Sequence, residues 1–393
     1  MRRVYLDNNA TSPLLPEVFE AMRPCFLESF GNASSIHQQG QQARAAVEQA
    51  RDSVAQLLGA RAVEIVFTSG GTEGDNLALF GMVSAGDHIV TSSIEHHAVL
   101  NSCKRLEALG VETTFLRVDG QGLVSPGDVR SALRPNTRLI SVMMANNETG
   151  ALQPVEEIGR IAAEADVWFH TDAVQAAGKV PIDVGRIGCD LLTISAHKLH
   201  GPQGVGALYV RRGTLLQPMM HGGRHERGRR AGTENLPGIA GLGKAAEVAR
   251  EWLAGGGAEK MAAMRNRFES HILRQVESTR ANSGQVARTP NTSNIVFECI
   301  EGEALVIALD LKGISVSTGA ACSSGAVEPS HVLTAMGLTS GEARASIRFS
   351  LGKQTSEDDL EFVLEQLPAT VSKLRELSPL WSGSKARQSV GGS

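Results

Sequence analysis

Between residues 62 and 210 short β-rich runs alternate with helical stretches, and this alternation limits the possible folds more than any other feature. Glu64-Ile65-Val66-Phe67-Thr68 precedes an amphipathic segment from Thr72, and His88-Ile89-Val90-Thr91 precedes one from His97. Arg138-Leu139-Ile140-Ser141-Val142-Met143 precedes a third, from Val155. Val167-Trp168-Phe169-His170 and Leu191-Leu192-Thr193-Ile194 extend the series, and Gly206-Ala207-Leu208-Tyr209-Val210 closes it. Strands alternating with helices imply an α/β fold with a mainly parallel sheet covered on both faces. Ligands of such sheets sit beyond the carboxyl ends of the strands. Gly71, His96, Asn147, Asp172 and Lys198 all fall just after predicted strands, so one site can gather all five.

A chain of 393 residues is too long for one ordinary core. After a helical stretch from about 236 to 278 the alternation thins. Strands are predicted at 293–297 and 346–350, with helices near 302–312 and 356–375, which reads as a smaller α+β domain. The expected division is a large domain over 1–15 and 16–255, with the N-terminal segment packing on the small domain. The small domain covers 256–381, and the polar, Gly/Ser-rich tail 382–393 is expected to be disordered.

The formal net charge of -4 argues against a general nucleic-acid binder. No apolar run approaches the ~20 residues that cross a bilayer, and Met1-Arg2-Arg3-Val4-Tyr5 opens into strand-like sequence without a signal region. A cytoplasmic location is the expectation. The five cysteines (Cys25, Cys103, Cys189, Cys299, Cys322) form no CxxC pair, so neither a metal site of the protein's own nor a disulfide framework is indicated. Cys322 differs from the others: small and polar neighbours, Ser317 to Ala321 and Ser323 to Gly325, suit a reactive thiol on an exposed loop.

Lys198 ends an apolar run, where desolvation lowers an amine pKa and frees it for Schiff-base chemistry. Asp172 ends the preceding strand. A carboxylate there can keep a pyridine nitrogen protonated, which pyridoxal 5'-phosphate (PLP) requires to act as an electron sink. The turn Thr68-Ser69-Gly70-Gly71-Thr72-Glu73 opens a helix and suits an anion, or Thr72 simply caps that helix. It lacks the Gly-Lys-Ser/Thr ending of a P-loop. His96 can stack on a planar cofactor and exchange protons, or be structural. Asn147 can donate to a phenolate oxygen, or make a turn. The loop from Gly222 to Thr233, with four arginines, can meet an anion or lie solvated at the surface. Arg348 interrupts an apolar strand and needs an anionic partner, either a substrate carboxylate or a structural ion pair.

Taken in order, these elements resemble the fold-type I PLP enzymes of the class V aminotransferase group, specifically the NifS/IscS-type cysteine desulfurases. The resemblance runs from Tyr5-Leu6-Asp7-Asn8-Asn9-Ala10-Thr11 to Leu377-Ser378-Pro379-Leu380-Trp381. It is carried by Glu95-His96, Asn146-Asn147-Glu148, Asp172-Ala173-Val174-Gln175, Ser195-Ala196-His197-Lys198, Ala321-Cys322-Ser323-Ser324-Gly325 and Ile347-Arg348-Phe349-Ser350. The start, Arg229-Arg230-Ala231-Gly232-Thr233 and the ending look closer to the NifS branch. Two positions depart from the usual pattern, Gly74 in place of serine and Ala33 in place of proline, and Gly74 is expected to loosen its helix slightly.

The resemblance implies a large domain with a mainly parallel seven-stranded sheet plus a smaller α+β C-terminal domain. It makes Lys198 the Schiff-base lysine and Asp172 the partner of the ring nitrogen. His96 would stack on the ring, and Asn147 and Gln175 would contact its phenolate oxygen. Gly71, Thr72, Ser195 and His197 would bind phosphate, joined by Thr233 from the second subunit of a homodimer. Arg348 and Asn147 would bind the substrate, L-cysteine, and Cys322 would be the nucleophile that becomes a persulfide. The implied sulfur acceptor is an iron–sulfur scaffold of the NifU/IscU type, in a nitrogenase-type pathway. Cys322 could also ligate, transiently, a [2Fe-2S] cluster shared with that scaffold. No nucleic acid and no membrane are expected as partners.

Overall fold

The computed structural model describes residues 2–319, 328–379 and 381. Its twelve strands, in chain order, are β1 Val4–Tyr5, β2 Ile65–Thr68, β3 His88–Ser92, β4 Glu112–Leu116, β5 Thr137–Ser141 and β6 Trp168–Asp172, then β7 Leu191–Ser195, β8 Gly206–Val210, β9 Thr279–Asn282, β10 Thr292–Phe297, β11 Ile314–Ser315 and β12 Ser346–Ser350. Seven of them form one sheet in the order β2-β8-β7-β6-β5-β3-β4. All neighbours are parallel except β8, which runs antiparallel to both β2 and β7.

The strands of this sheet, apart from the edge strand β4, bury apolar side chains on both faces, as a sheet covered by helices on each side requires. Ile65, Phe67, Ile140, Phe169, Leu192, Ile194 and Ala207 belong to one buried cluster, shared with helices Gln38–Leu58, Val155–Glu164 and Leu236–Ala254. Val66, Ile89, Leu139, Leu191, Leu208 and Val210 point the other way, onto helices Gly71–Phe80 and His97–Glu107. The edge strand β4, Glu-Thr-Thr-Phe-Leu, is largely solvent-facing and polar, which is why hydrophobic pattern alone does not reveal it.

Gly74 has a packing reason. A Cβ there would stand 2.6 Å from Thr193 Cγ2, so glycine lets the helix from Gly71 press against β7. The expected long helix from 236 to 278 is two helices, Leu236–Ala254 and Gly257–Gln275, parted at Gly255-Gly256.

A second, three-stranded antiparallel sheet has the order β12-β10-β9. Ile295, Phe297, Ile347 and Phe349 turn one face into a separate core with Phe268, Leu305, Leu360 and Val363. The period of two therefore sends Asn294, Arg348 and Ser350 to the opposite face. β1 pairs in parallel with β11, and Asp7 then bridges to Ser350, so the N-terminal segment runs beside this second sheet. Among the described residues, no helix is long and apolar enough to cross a membrane.

Candidate active site

A pocket of about 420 Å³ lies beyond the carboxyl ends of β6 and β7. It is lined by Gly71, Thr72, His96, Asn147, Asp172, Gln175, Ser195, His197, Lys198 and Arg348, which brings together nearly every residue singled out in the sequence. Thr233 is not among them. It is exposed in the loop preceding helix Leu236–Ala254. Cys322 lies outside the described residues, as does the tail 382–393.

Asp172 ends β6 and is buried, with Oδ1 accepting the Val174 N–H at 2.8 Å. Burial pushes its pKa up to about 6, against the pull of that N–H and of Lys198. Asp75, on helix Gly71–Phe80, is fully enclosed nearby; burial and the charge of Asp172 drive its pKa well above the usual carboxylate range. Of the two carboxyls, the one with an N–H donor and a cation near it keeps the charge, and Asp75 takes the proton. Asp172 is thereby left ionised near neutral pH. Behind them Glu95 is also held protonated, its pKa raised by burial to about 8 even though Ser92 Oγ and the Met143 N–H donate to it.

Lys198 closes the short turn Ala196–Lys198 that follows β7. Its Nζ donates to the carbonyls of Asn9 and Ala10 at 2.5 and 2.6 Å. Burial, then the charge of Arg348, lower its pKa to about 8, while Asp172 and Asp7 oppose the fall. A substantial neutral fraction near physiological pH gives the amine nucleophilic character that a solvated lysine lacks.

The helix from Gly71 begins at Gly70 with no side-chain cap, and Thr72 lies inside the first turn. Its first-turn N–H groups and dipole therefore lie on the pocket side, with Ser195 and His197 beside them, while the Glu73 carboxylate of the same turn is taken up by the Ser69 N–H and Arg230. His197 Nδ1 meets Thr11 Oγ1 at 3.2 Å, and desolvation lowers its pKa to about 4. His96 caps the next helix, its Nδ1 accepting the Ala98 N–H at 3.1 Å, which leaves Nε2 for the pocket. Desolvation by the surrounding walls, together with Lys198, His97 and His331, pulls its pKa down to about 4, so the ring is neutral.

Arg348 enters from the second sheet. Nη2 donates to Asp7 Oδ1 at 2.7 Å and Nη1 to the Asn147 carbonyl at 3.0 Å, while its buried Nε has no partner among the described residues. The guanidinium is thus in a structural ion pair, the second of the two sequence readings, and also stands on the pocket wall. The arginine-rich loop does not line the pocket. Buried Glu226 accepts Arg51 Nη1 and Nη2 at 2.7 and 2.9 Å and the Phe67 N–H at 3.0 Å, and Arg230 pairs with Glu73. Glu226, Arg227 and Arg230 of the loop are thus paired within the protein, whereas Arg229 Nη1 is buried without a hydrogen-bond partner among the described residues.

Pocket residues that the pattern did not single out for chemistry are Asn9, Ala10, Asp75, Met143, Val174, Ser317 and Gly319. Asn9 and Ala10 arrive through the N-terminal segment, and Ser317 and Gly319 through the stretch after β11. Such long-range contributions leave no periodic signal. Asp75 sits in an ordinary amphipathic helix, where an acidic residue reads as solvated.

A family model described as aminotransferase class-V matches residues 4–363. The chain is 49% identical over 387 residues to a protein named cysteine desulfurase IscS from Dictyoglomus turgidum, covering 96% of this chain and 97% of that one. Among solved structures, one titled NifS-like protein superposes with a TM-score of 0.88 at 36% identity, covering 95% of this chain and all of that one. Another, titled SspA in complex with cysteine, has a TM-score of 0.79 at 40% identity and covers 88% and 98%. The chain belongs to the class-V aminotransferase family, in its group of PLP-dependent cysteine desulfurases.

Proposed function

We propose that the chain removes sulfur from L-cysteine, releasing L-alanine and leaving a persulfide on Cys322. The observation that carries this is the pairing, across one pocket, of a desolvated lysine at a strand end with a buried arginine on the opposite wall. The family supplies the class of chemistry, and a related structure is titled as a complex with cysteine.

The residues present fit PLP. An uncapped helix start suits a phosphate, an ionised Asp172 suits a protonated ring nitrogen, and the lowered Lys198 amine suits a carbonyl carbon. When bound, PLP supplies an electron sink for the substrate's Cα. Gly71, Thr72, Ser195 and His197 would hold its phosphate, His96 its ring face, and Asn147 and Gln175 its ring oxygen, with Thr233 reaching in from the partner of a homodimer.

Arg348 orients the cysteine carboxylate by charge-assisted hydrogen bonds, aided by Asn147. Lys198, once free, takes and returns the proton at Cα. Neutral His96, whose Nδ1 already accepts the Ala98 N–H, presents its Nε2–H as a donor to the substrate sulfur. The Cys322 thiolate forms a bond to the substrate sulfur as the substrate's C–S bond breaks. The electron pair of that bond returns to carbon, which gains a proton and becomes the methyl group of alanine. Cysteine and one enzyme thiol thus become alanine and one enzyme persulfide, with no other redox partner.

The persulfide goes on to an iron–sulfur scaffold of the NifU/IscU type, with Cys322 able to share a cluster transiently during transfer. Features at both ends of the chain favour a nitrogenase-type branch, whereas the IscS name of a full-length relative favours general cluster assembly. The same reading divides the chain into a large cofactor domain, 1–255, and a small domain, 256–381, that carries the cysteine segment. The test is product analysis with the Cys322→Ala variant. It should keep the cofactor colour and yield no alanine from cysteine. Undiminished alanine from that variant overturns the nucleophile, and a keto acid product points to an aminotransferase instead.

A further inference from the structure

Lys179 is a buried lysine that the proposed chemistry leaves without a task. It is 8% exposed, and among the described residues it makes no ion pair. Its Nζ donates instead to two amide oxygens, Gln175 Oε1 at 2.6 Å and Asn9 Oδ1 at 3.2 Å. Burying a cation without a counter-charge is costly, so a fold that keeps one gains something by it. Burial, with Lys198 and Arg348 nearby, drives its pKa well below the ordinary lysine value.

The hydrogen-bond pattern around it is one-directional. Because Lys179 Nζ donates to Gln175 Oε1, the Gln175 amide turns its oxygen to Lys179 and its nitrogen away. Gln175 Nε2 then gives one hydrogen to the Asn9 carbonyl at 2.9 Å, the same carbonyl that receives Lys198 Nζ. Its second hydrogen is left for the pocket that Gln175 lines. Asn9 is fixed in the same sense: its Oδ1 also receives Asn291 Nδ2 at 3.0 Å, and its Nδ2 donates to Thr292 Oγ1 and the Asn147 carbonyl. A flipped Gln175 would set its oxygen against the Asn9 carbonyl, acceptor against acceptor, and would take from Lys179 Nζ the oxygen it donates to.

We infer that Lys179 is a positioning residue for the reaction: it locks the Gln175 amide so that an N–H faces the oxygen of the bound cofactor's ring. The inference rests on the PLP reading of the pocket. A donor held on that oxygen stabilises its anionic form and lowers the pH at which the bound cofactor's visible absorption changes. Without the lock, the amide rotates and the donor is lost for part of the time.

The experiment is a pH titration of the visible absorption of PLP-loaded parent, Lys179→Met, Gln175→Leu and the double variant, alongside thermal unfolding of the cofactor-free forms. Lys179→Met should shift the midpoint upward by about one pH unit. Gln175→Leu should shift it at least as far, and the double variant no further than Gln175→Leu alone, because both changes remove one interaction. The cofactor-free Lys179→Met protein should unfold no lower than the parent, since a buried cation is replaced by an apolar chain. An unchanged midpoint in Lys179→Met, or shifts that add in the double variant, overturns the inference. If Lys179→Met does not fold, Gln175→Leu decides: the parent's midpoint there also overturns it. A parent that takes up no PLP breaks the reading of the pocket itself, which separates the two failures.

Discussion

Asp172 and Lys198 stand at the ends of neighbouring strands in the seven-stranded sheet, whereas Arg348 reaches the same pocket from the middle of a strand in the three-stranded one. The first wall is buried on both faces, and strand pairing and the uncapped helix start aim its groups. The second wall has one apolar face and one polar face, and its arginine is steered by Asp7 and a carbonyl contributed from elsewhere in the chain. Cys322 belongs to the chain segment between Gly319, on this second side of the pocket, and Ser330, whose Oγ donates to buried Glu148 at 2.5 Å. The contrast separates two jobs. On the proposed function, the large sheet would hold what any PLP enzyme needs, and the other side would bring what selects a substrate and a reaction.

The sharpest way to break this division is Lys198→Ala. It should abolish covalent attachment of the cofactor and lower turnover by roughly 10³-fold or more, measured by absorption and alanine release. A variant that still holds its cofactor covalently would contradict the lysine assignment.

Next in size is the rigidity of the first wall. Glu226→Gln leaves buried Arg51 with only the half-exposed Glu48 as counter-charge and should cost up to about 3–5 kcal/mol in denaturant unfolding, while Cys322 chemistry in the surviving folded protein stays intact. A loss under about 1 kcal/mol would mean that the pair is not what holds the Gly222–Thr233 loop to β2.

Arg348→Lys sharpens the other side. Loss of the bidentate fork should raise KM for cysteine roughly ten- to a hundred-fold with the cofactor spectrum unchanged. A spectral change with unaltered KM would move Arg348 to the cofactor wall.

The last prediction concerns pH, and per pH unit its effect is the smallest. His170 is fully buried between Ser141 Oγ and Thr193 Oγ1, and burial lowers its pKa to about 3. Its folded pKa lies below the unfolded value of about 6.5, so its contribution is whole above that pH. It is lost at about 1.4 kcal/mol per pH unit as pH falls from there toward 3. His170→Gln should flatten that slope in equilibrium unfolding followed across the range.

The first wall was the more legible in the sequence because periodicity writes strand ends plainly. Lys198, Asp172 and the turn before Gly71 stand where apolar runs stop, and the structure has those strands within a residue or two. β4 escaped because an edge strand facing solvent carries Glu112, Thr113 and Thr114 in place of an apolar run. Helix Gln38–Leu58 buries Ala43, Val47, Ala50 and Val54 at helical spacing, a signal that small residues make faint. Asp75, Glu95 and Lys179 could not be read as buried, since a single charge looks the same in a solvated loop and in a core. Arg348 was legible only as a charge interrupting an apolar strand; its partner Asp7 is 341 residues away. Family resemblance supplied Gln175, Thr233 and the role of Cys322, which no pattern of spacing contains.

The central claim is that this pocket moves sulfur onto Cys322, and mass spectrometry of the peptide containing that residue tests it most directly. After one turnover with L-cysteine, before any acceptor is added, the peptide should be heavier by one sulfur atom, in proportion to the alanine formed. Alanine formed in equal amount, with an unmodified Cys322 peptide, would contradict the account.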